Sequence, residues 1–127
     1  MRLFVGSERG ATLIESLVAL ALISALAVTF LSGLATTSRA TIIADEQATA
    51  EGLARSQMEW ARGVEYVYEA TGYTPAPLPG GADYGGYSAV IAAVALHNPD
   101  DGIQKITVLI ERSGDELFDL EGYKMDR

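Results

Sequence analysis

Residues 16–38 read SLVALALISALAVTFLSGLATTS, and this stretch decides the fold because it holds no charged side chain over its whole length. At a rise of about 1.5 Å per residue, a helix over it is roughly 35 Å long, more than the roughly 30 Å hydrocarbon core of a bilayer. Ser32-Gly33 offers the small residues of a signal-peptide cleavage site, but the apolar core of a signal peptide is only about 7–15 residues long. The sequence therefore predicts a membrane-spanning helix.

The charges that flank this stretch predict its orientation. Arg2 and Arg9 precede it, and Arg39 follows it together with several acidic residues. Because Lys and Arg are enriched on the cytoplasmic side of membrane spans, we expect the N-terminus in the cytoplasm and the C-terminal domain outside.

Composition excludes several classes of function. The chain has 127 residues, enough for one domain, and its net charge of −8 with nine scattered basic residues argues against nucleic-acid binding. It has no cysteine and a single histidine, His97, so disulfides and cysteine-ligated metals are excluded. No nucleophile–base pair, phosphate loop or dinucleotide motif is found. We expect no enzymatic activity, no cofactor and no metal site.

One acidic residue interrupts the apolar region at its start. Glu15 follows Leu13 and Ile14 and precedes Leu17. A carboxylate at the centre of a membrane helix costs about 2.5–3.5 kcal/mol, and less near an end where it reaches the interface. Glu15 therefore either marks the cytoplasmic boundary of the span or pairs with a cation that a neighbouring molecule supplies.

The residues around this carboxylate carry a resemblance to a known family. Residues 8–15 read ERGATLIE and lead directly into the uncharged span. This arrangement resembles the precursors of the type IV pilin superfamily, which includes the pseudopilins of type II secretion. In that family a short charged leader ends in Gly, and the motif after it, here Thr12, Leu13 and Ile14, precedes the Glu.

The resemblance implies processing and assembly. A prepilin peptidase would cut between Gly10 and Ala11 and methylate Ala11, where the family usually has Phe. Glu15 would become the fifth residue of the mature chain, about 6 Å along the helix from the new amine. When helices stack with an offset, the amine of one subunit meets the Glu15 carboxylate of the next, which sets the register. The implied partners are other pilin or pseudopilin subunits through their N-terminal helices, the peptidase, an inner-membrane assembly platform and the lipid bilayer.

The rest of the chain predicts an α+β fold. Apolar residues at helical spacing, Leu53, Trp60, Val64 and Val67, predict that the helix continues as an amphipathic half and packs through this stripe. Three strands, Tyr87–Leu96, Ile103–Arg112 and Glu116–Lys124, predict an antiparallel meander on that half, the first strand being apolar on both faces. The predicted segments are a leader at 1–10, a transmembrane and assembly helix at 11–38, an amphipathic helix half at 39–71, a Gly/Pro-rich connector at 72–86 and a β-meander at 87–127.

Two local features allow a second interpretation. Asp100 and Asp101 beside Gly102 are reminiscent of a calcium loop, and some pseudopilins bind calcium in their sheet region, but the alternating ligands and closing Glu of a calcium loop are missing. The acidic group Asp115, Glu116, Asp119 and Glu121 is interpreted as a solvated strand face. We therefore predict a turn and a polar surface at these places.

The resemblance leaves three functions open. Residues 50–59, AEGLARSQME, resemble minor subunits of the PilV and pseudopilin I kind, which help to start or cap a filament. A major fibre subunit is one alternative. The other is an uncleaved single-pass membrane protein with an acidic extracytoplasmic binding domain.

Overall fold

The structure is a computed structural model that describes the backbone of residues 7–127 and the side chains from Thr12 onward. One long helix, α1, runs from Ser7 to Gly63. Four strands follow: β1 at Gly72–Tyr73, β2 at Tyr87–Ala95, β3 at Ile103–Arg112 and β4 at Asp115–Met125. A short 3-10 helix lies at Ala82–Tyr84. The chain divides into two compact units, Met1–Ile42 and Ile43–Arg127.

The strands form one antiparallel sheet in the order β1-β2-β3-β4. This confirms the predicted α+β class and the meander, and it corrects the predicted number of strands from three to four. The additional strand, β1, pairs Gly72 with Ala92 and Tyr73 with Ile91. A Cβ at position 72 would lie 2.6 Å from the carbonyl oxygen of Ile91, so only glycine allows this close pairing.

The core lies between the second half of α1 and one face of the sheet. Strand β3 supplies the fully buried Ile106, Val108 and Ile110 at alternate positions, as its sequence pattern predicts. The helix supplies a face of mostly small side chains, which lets it approach the sheet closely: Ala50, Leu53, Ala54, Met58 and Ala61.

The predicted packing stripe of the helix is partly wrong. Leu53 is buried, but Trp60 is 45% exposed and Val67 lies beyond the helix with its side chain exposed. The buried face of the helix consists of positions 50, 53, 54, 57, 58 and 61, where mostly small side chains and Gln57 lie, and position 60 falls outside it. On β4, a Cβ at Gly122 would lie only 2.9 Å from the sulfur of Met58, which shows how tight this contact is.

Strand β2 also departs from its prediction. It was expected to be covered on both faces, but only its inward side chains, such as Ile91 and Ala93, are buried. Val90 and Val94 on the outward face are exposed. Both faces of the strand are apolar, but among the described residues only the face toward α1 is covered.

The connector is fastened to α1 by two side chains. Gln57, buried within the protein, donates from Nε2 to the carbonyl of Ala76 at 3.1 Å and accepts from the amide of Ala76 at 2.8 Å. The indole of Trp60 donates to the carbonyl of Thr74 at 3.1 Å. These bonds satisfy backbone groups of Thr74 and Ala76, which lie in the Pro-rich stretch between β1 and the 3-10 helix.

The end of α1 is set by a lysine from the last strand. The predicted amphipathic half reached residue 71, but α1 ends at Gly63. The ammonium group of Lys124 donates to the carbonyl of Ala61 at 2.7 Å and to that of Val64, and it lies 5.2 Å from the centre of the Tyr73 ring. A cation that takes the last helical carbonyls favours termination at this point.

Lys124 is nearly inaccessible, with 2% of its surface exposed, and this burial lowers the pKa of its ammonium group. We predict that Lys124→Met lowers the free energy of unfolding by about 2 kcal/mol, since hydrogen bonds to a charged group are lost and buried carbonyls are left unpaired. Chemical denaturation of the detergent-solubilised chain at neutral pH, followed by Trp60 fluorescence, measures this. The control is Lys105→Met, which removes a half-exposed lysine bridged to Glu121 and is expected to have a much smaller effect. Equal effects of the two substitutions would contradict the capping role.

Candidate functional site

Glu15 lies on α1 with its side chain exposed. Within the described part of the chain, its carboxylate has no hydrogen bond and no ion pair. A shallow apolar groove runs beside it, lined by Ile14, Val18, Ala19 and Leu22, which share one face of the helix at spacings of three and four residues. The site thus combines a negative charge that is unpaired among the described residues with an apolar stripe on the same part of the helix.

The other predicted site residues are placed only in part. Thr12, Leu13 and Ile14 lie on α1, and the side chains of Leu13 and Ile14 are exposed. The backbone of Gly10 and Ala11 lies within α1. The side chain of Ala11 and all of residues 1–6 lie outside the described residues. The predicted cleavage and methylation at Gly10 and Ala11 therefore stay predictions.

The apolar part of α1 is uncovered in the isolated chain. Among the described residues, one helix is long and apolar enough to cross a membrane, and none of its most apolar window is buried. This agrees with a single-pass membrane protein. Large apolar side chains remain exposed as far as Ile42 and Ile43, beyond Arg39.

Hydroxyl groups along this helix are satisfied by its own backbone. Each of six side chains donates to the carbonyl four residues earlier, at 2.7–3.0 Å: Ser16, Ser24, Thr29, Thr36, Thr37 and Thr41. These residues therefore add little polarity to the helix surface. Glu15 differs from them, because the helix offers a carboxylate no donor of this kind.

A second polar cluster lies in the globular unit and is centred on Asp100. Its carboxylate accepts four hydrogen bonds: from the hydroxyl of Tyr66 at 2.6 Å, from the amide of Glu69 at 2.8 Å, from Nε2 of Gln104 at 2.8 Å and from the amide of Gly102 at 3.0 Å. Desolvation acts to raise the pKa of Asp100, but these hydrogen bonds outweigh it and hold the pKa well below its ordinary value of 3.8.

Gln104 extends this cluster into the sheet. Its Nε2 also donates to the carbonyl of Val67 at 2.7 Å, and its Oε1 accepts from the hydroxyl of Tyr73 at 2.7 Å. Desolvation and the bond to Asp100 raise the pKa of Tyr66, so this phenol stays protonated as a donor. The cluster fastens the segment after α1 to the β2–β3 loop and to the start of β3.

The hydrogen bonds of this cluster account for the position of the Asp100 carboxylate without a metal ion. All four of its hydrogen bonds come from the protein, and Asp101 faces away, with its Oδ2 2.8 Å from Nδ1 of His97. Over residues 12–127, no group of three or more His, Asp or Glu side chains is arranged to hold a metal. The arrangement is typical of a structural clamp.

Sequence reasoning missed Gln104 and its partners. A signal was present, because the inward positions of β3 are 104, 106, 108 and 110, and Gln104 is the polar one among three apolar residues. A polar residue at an inward position predicts a buried hydrogen-bond partner. Tyr73 is distant from Gln104 in sequence, and Asp100 lies in the loop before β3. The strand pattern therefore does not identify these partners.

The low pKa of Asp100 gives a pH dependence with a defined sign. At a pH below 3.8, the ordinary pKa of the Asp100 carboxyl, the unfolded chain binds a proton at Asp100 that the folded chain does not. The free energy of unfolding therefore decreases as the pH falls from 3.8 through the lower pKa of the folded state. We predict that the Asp100→Asn variant loses less free energy of unfolding between about pH 4 and pH 2 than the parent chain does, when each protein is compared with its own value at neutral pH. Denaturation curves at several pH values measure the slope.

The control for this prediction is Asp119→Asn, which removes an exposed carboxylate on β4 that accepts no hydrogen bond within the described residues. It is expected to leave the slope close to that of the parent chain. A parent-like slope in the Asp100→Asn variant would show that the clamp does not control acid stability.

Comparison with protein-family models, with curated proteins and with solved structures finds no match to this chain.

Proposed function

We propose that the chain is a minor type IV pilin or minor pseudopilin: a structural subunit that prepilin peptidase processes and that helps to initiate or cap a filament. The observation that carries the proposal is the Glu15 carboxylate, which lies unpaired among the described residues on an apolar helix. Such a group is costly in hydrocarbon unless a cation meets it there.

Cleavage between Gly10 and Ala11 supplies that cation. It removes the leader, leaves the apolar helix intact and creates an α-amine within about four residues of Glu15. The amine of an adjacent subunit would pair with Glu15 in a low-dielectric helix bundle, which offsets a burial cost of several kcal/mol per charge. A pairing that forms in one axial offset only would select the register of assembly.

The extent of the apolar surface supports packing against other helices. Residues 12–43 span about 48 Å as a helix, longer than the roughly 30 Å of hydrocarbon in a bilayer. Ile42 and Ile43 follow Arg39 and are both exposed in the isolated chain. A surface of this kind outside the membrane needs a cover, and neighbouring helices of a filament would provide it.

The proposed location follows from the same features. The precursor would cross the inner membrane once, with its N-terminus in the cytoplasm and residues 39–127 outside. After processing it would enter a periplasmic pseudopilus or an extracellular pilus. The proposal assigns no catalytic residue and no cofactor to the chain, which acts as the substrate of the peptidase.

Processing is tested directly by mass spectrometry of the protein extracted from membranes of its native host. We predict a mature chain of 117 residues that begins at Ala11, with or without an added methyl group. Gly10→Leu is expected to leave the precursor intact, whereas Gly33→Leu, on the apolar helix with open space around it, is expected to be processed normally. An intact leader in the parent chain would instead support the uncleaved single-pass alternative.

Assembly is tested at Glu15. We predict that Glu15→Leu leaves membrane insertion intact and lowers the amount of the chain in the filament fraction by about tenfold or more, because the loss of a paired charge in a low-dielectric site exceeds 1.4 kcal/mol. Ser24→Ala is the matched control, since its hydroxyl bonds only to its own helix, at Leu20. Immunoblots of membrane and sheared-filament fractions provide the measurement. Unchanged incorporation of the Glu15→Leu chain would refute the pairing, and an abundance of the parent chain throughout the fibres would favour a major subunit.

A further inference from the structure

The outer face of the sheet, which points away from α1, carries an uncovered apolar end. In the register of the strands, Val94, Lys105 and Tyr123 lie side by side, and Ile103 lies beside Met125. Val94, Tyr123 and Met125 are 66%, 57% and 60% exposed. Lys105 is bridged to Glu121 at 2.6 Å, so its charge is already paired. Val94, Tyr123, Ile103 and Met125 thus form a largely exposed group of large apolar side chains around the paired Lys105.

The opposite end of the same face is acidic. Glu111 and Glu116 are directly opposite each other on β3 and β4, an arrangement that destabilises a sheet. Asp119 lies on the same outward face of β4, and within residues 12–127 none of these three carboxylates has an ion pair. The nearby Arg112 bonds instead to Glu46 on α1. The chain therefore retains repulsion here that it does not relieve itself.

We propose that this outer face docks a different protein subunit, whose surface matches it with apolar side chains at one end and Lys or Arg at the other. The apolar end would supply the area removed from water, and the acidic end would fix the orientation of the partner and exclude others. This interface is additional to the packing of the N-terminal helices, and it does not depend on removal of the leader.

A second copy of the chain does not fit this face. Two copies related by a two-fold axis in the plane of contact meet either with like ends together or with opposite ends together. The first arrangement brings Glu111, Glu116 and Asp119 of both copies against each other. The second presses these carboxylates onto Val94 and Met125. Both leave buried charge without a partner, and the net charge of −8 adds to the repulsion.

The test uses the full chain in detergent and a fluorescent helical peptide as the probe. The peptide has about 16 residues, so that its length of about 24 Å matches roughly seven residues of a strand. In the first peptide, one face of the helix carries Leu in its N-terminal half and Lys in its C-terminal half. A matched second peptide has Glu at the Lys positions. We predict that the Lys peptide binds, that the Glu peptide does not, and that binding of the Lys peptide weakens as salt is raised.

Matched variants separate this surface from unspecific attraction. Val94→Asp and Glu116→Lys are each expected to weaken binding of the Lys peptide by about tenfold, as for residues at the centre of an interface. Val67→Asp and Glu65→Lys make the same chemical changes at exposed positions elsewhere and are expected to leave it nearly unchanged. Circular dichroism checks that each variant is folded.

Three results would overturn the proposal. The first is equal binding of the Glu peptide, and the second is an equal loss of binding in Glu65→Lys and Glu116→Lys. The third is a dimer of the parent chain, measured by sedimentation, that Val94→Asp abolishes, because a second copy would then be the occupant. None of these results bears on processing at Gly10 or on assembly through Glu15, so the two proposals fail separately.

Discussion

The ammonium group of Lys124 lies where the last turn of α1 leaves its carbonyl oxygens without helical partners. A helix that ends against a sheet needs such a donor, since buried carbonyls that lose water cost free energy if they stay unpaired. Because Lys124 comes from the final strand, its contact joins the end of the helix to the end of the chain. Gly122, two residues earlier, lets Met58 approach β4. The close approach and the cap together hold residues 50–63 against the sheet, and the clamp at Asp100 then fixes the segment that follows.

The single helix α1 meets two different environments, and its composition changes accordingly. Between Ser16 and Ser38 it carries no charge, and its large apolar side chains are exposed in the isolated chain. From Ala50 to Ala61 only one face is buried, and charged residues such as Arg55 and Glu59 occupy the other. A helix that is apolar all round requires lipid or other helices as its surroundings, whereas an amphipathic one is satisfied by a single sheet. The chain thus completes its globular unit by itself and leaves the N-terminal helix to be completed by its environment.

The sequence predicted what depends on local periodicity and charge. The uncharged run 16–38 and the alternation of Ile106, Val108 and Ile110 were readable in advance. The short link between the predicted strands Ile103–Arg112 and Glu116–Lys124 forms a turn at Ser113-Gly114, where both residues take the positive φ that a two-residue hairpin turn needs. What failed depends on contacts between distant segments. Strand β1 has two residues and no pattern, the end of α1 depends on Lys124 from β4, and the exposure of Trp60 depends on how closely the sheet approaches. At the candidate site, Glu15 was found because a charge in an apolar run is conspicuous. Gln104 was missed because two of its three partners, Val67 and Tyr73, are distant from it in sequence.

Two acidic features of the chain lack a cation among the described residues. Glu15 lacks a partner among the described residues, and the acidic end of the outer sheet face keeps Glu111 opposite Glu116. A polymer of this subunit alone would supply one amine for each Glu15. Each mature copy would also add a side-chain charge of −9, because the leader carries Arg2, Arg9 and Glu8 and hence +1 of the total of −8. Salt screens charges beyond about 8 Å at physiological ionic strength, but it does not remove repulsion between surfaces in contact. This distribution of charge supports the proposal of a subunit that lies among neighbours of different sequence, and it counts against the alternative of one that repeats along a fibre.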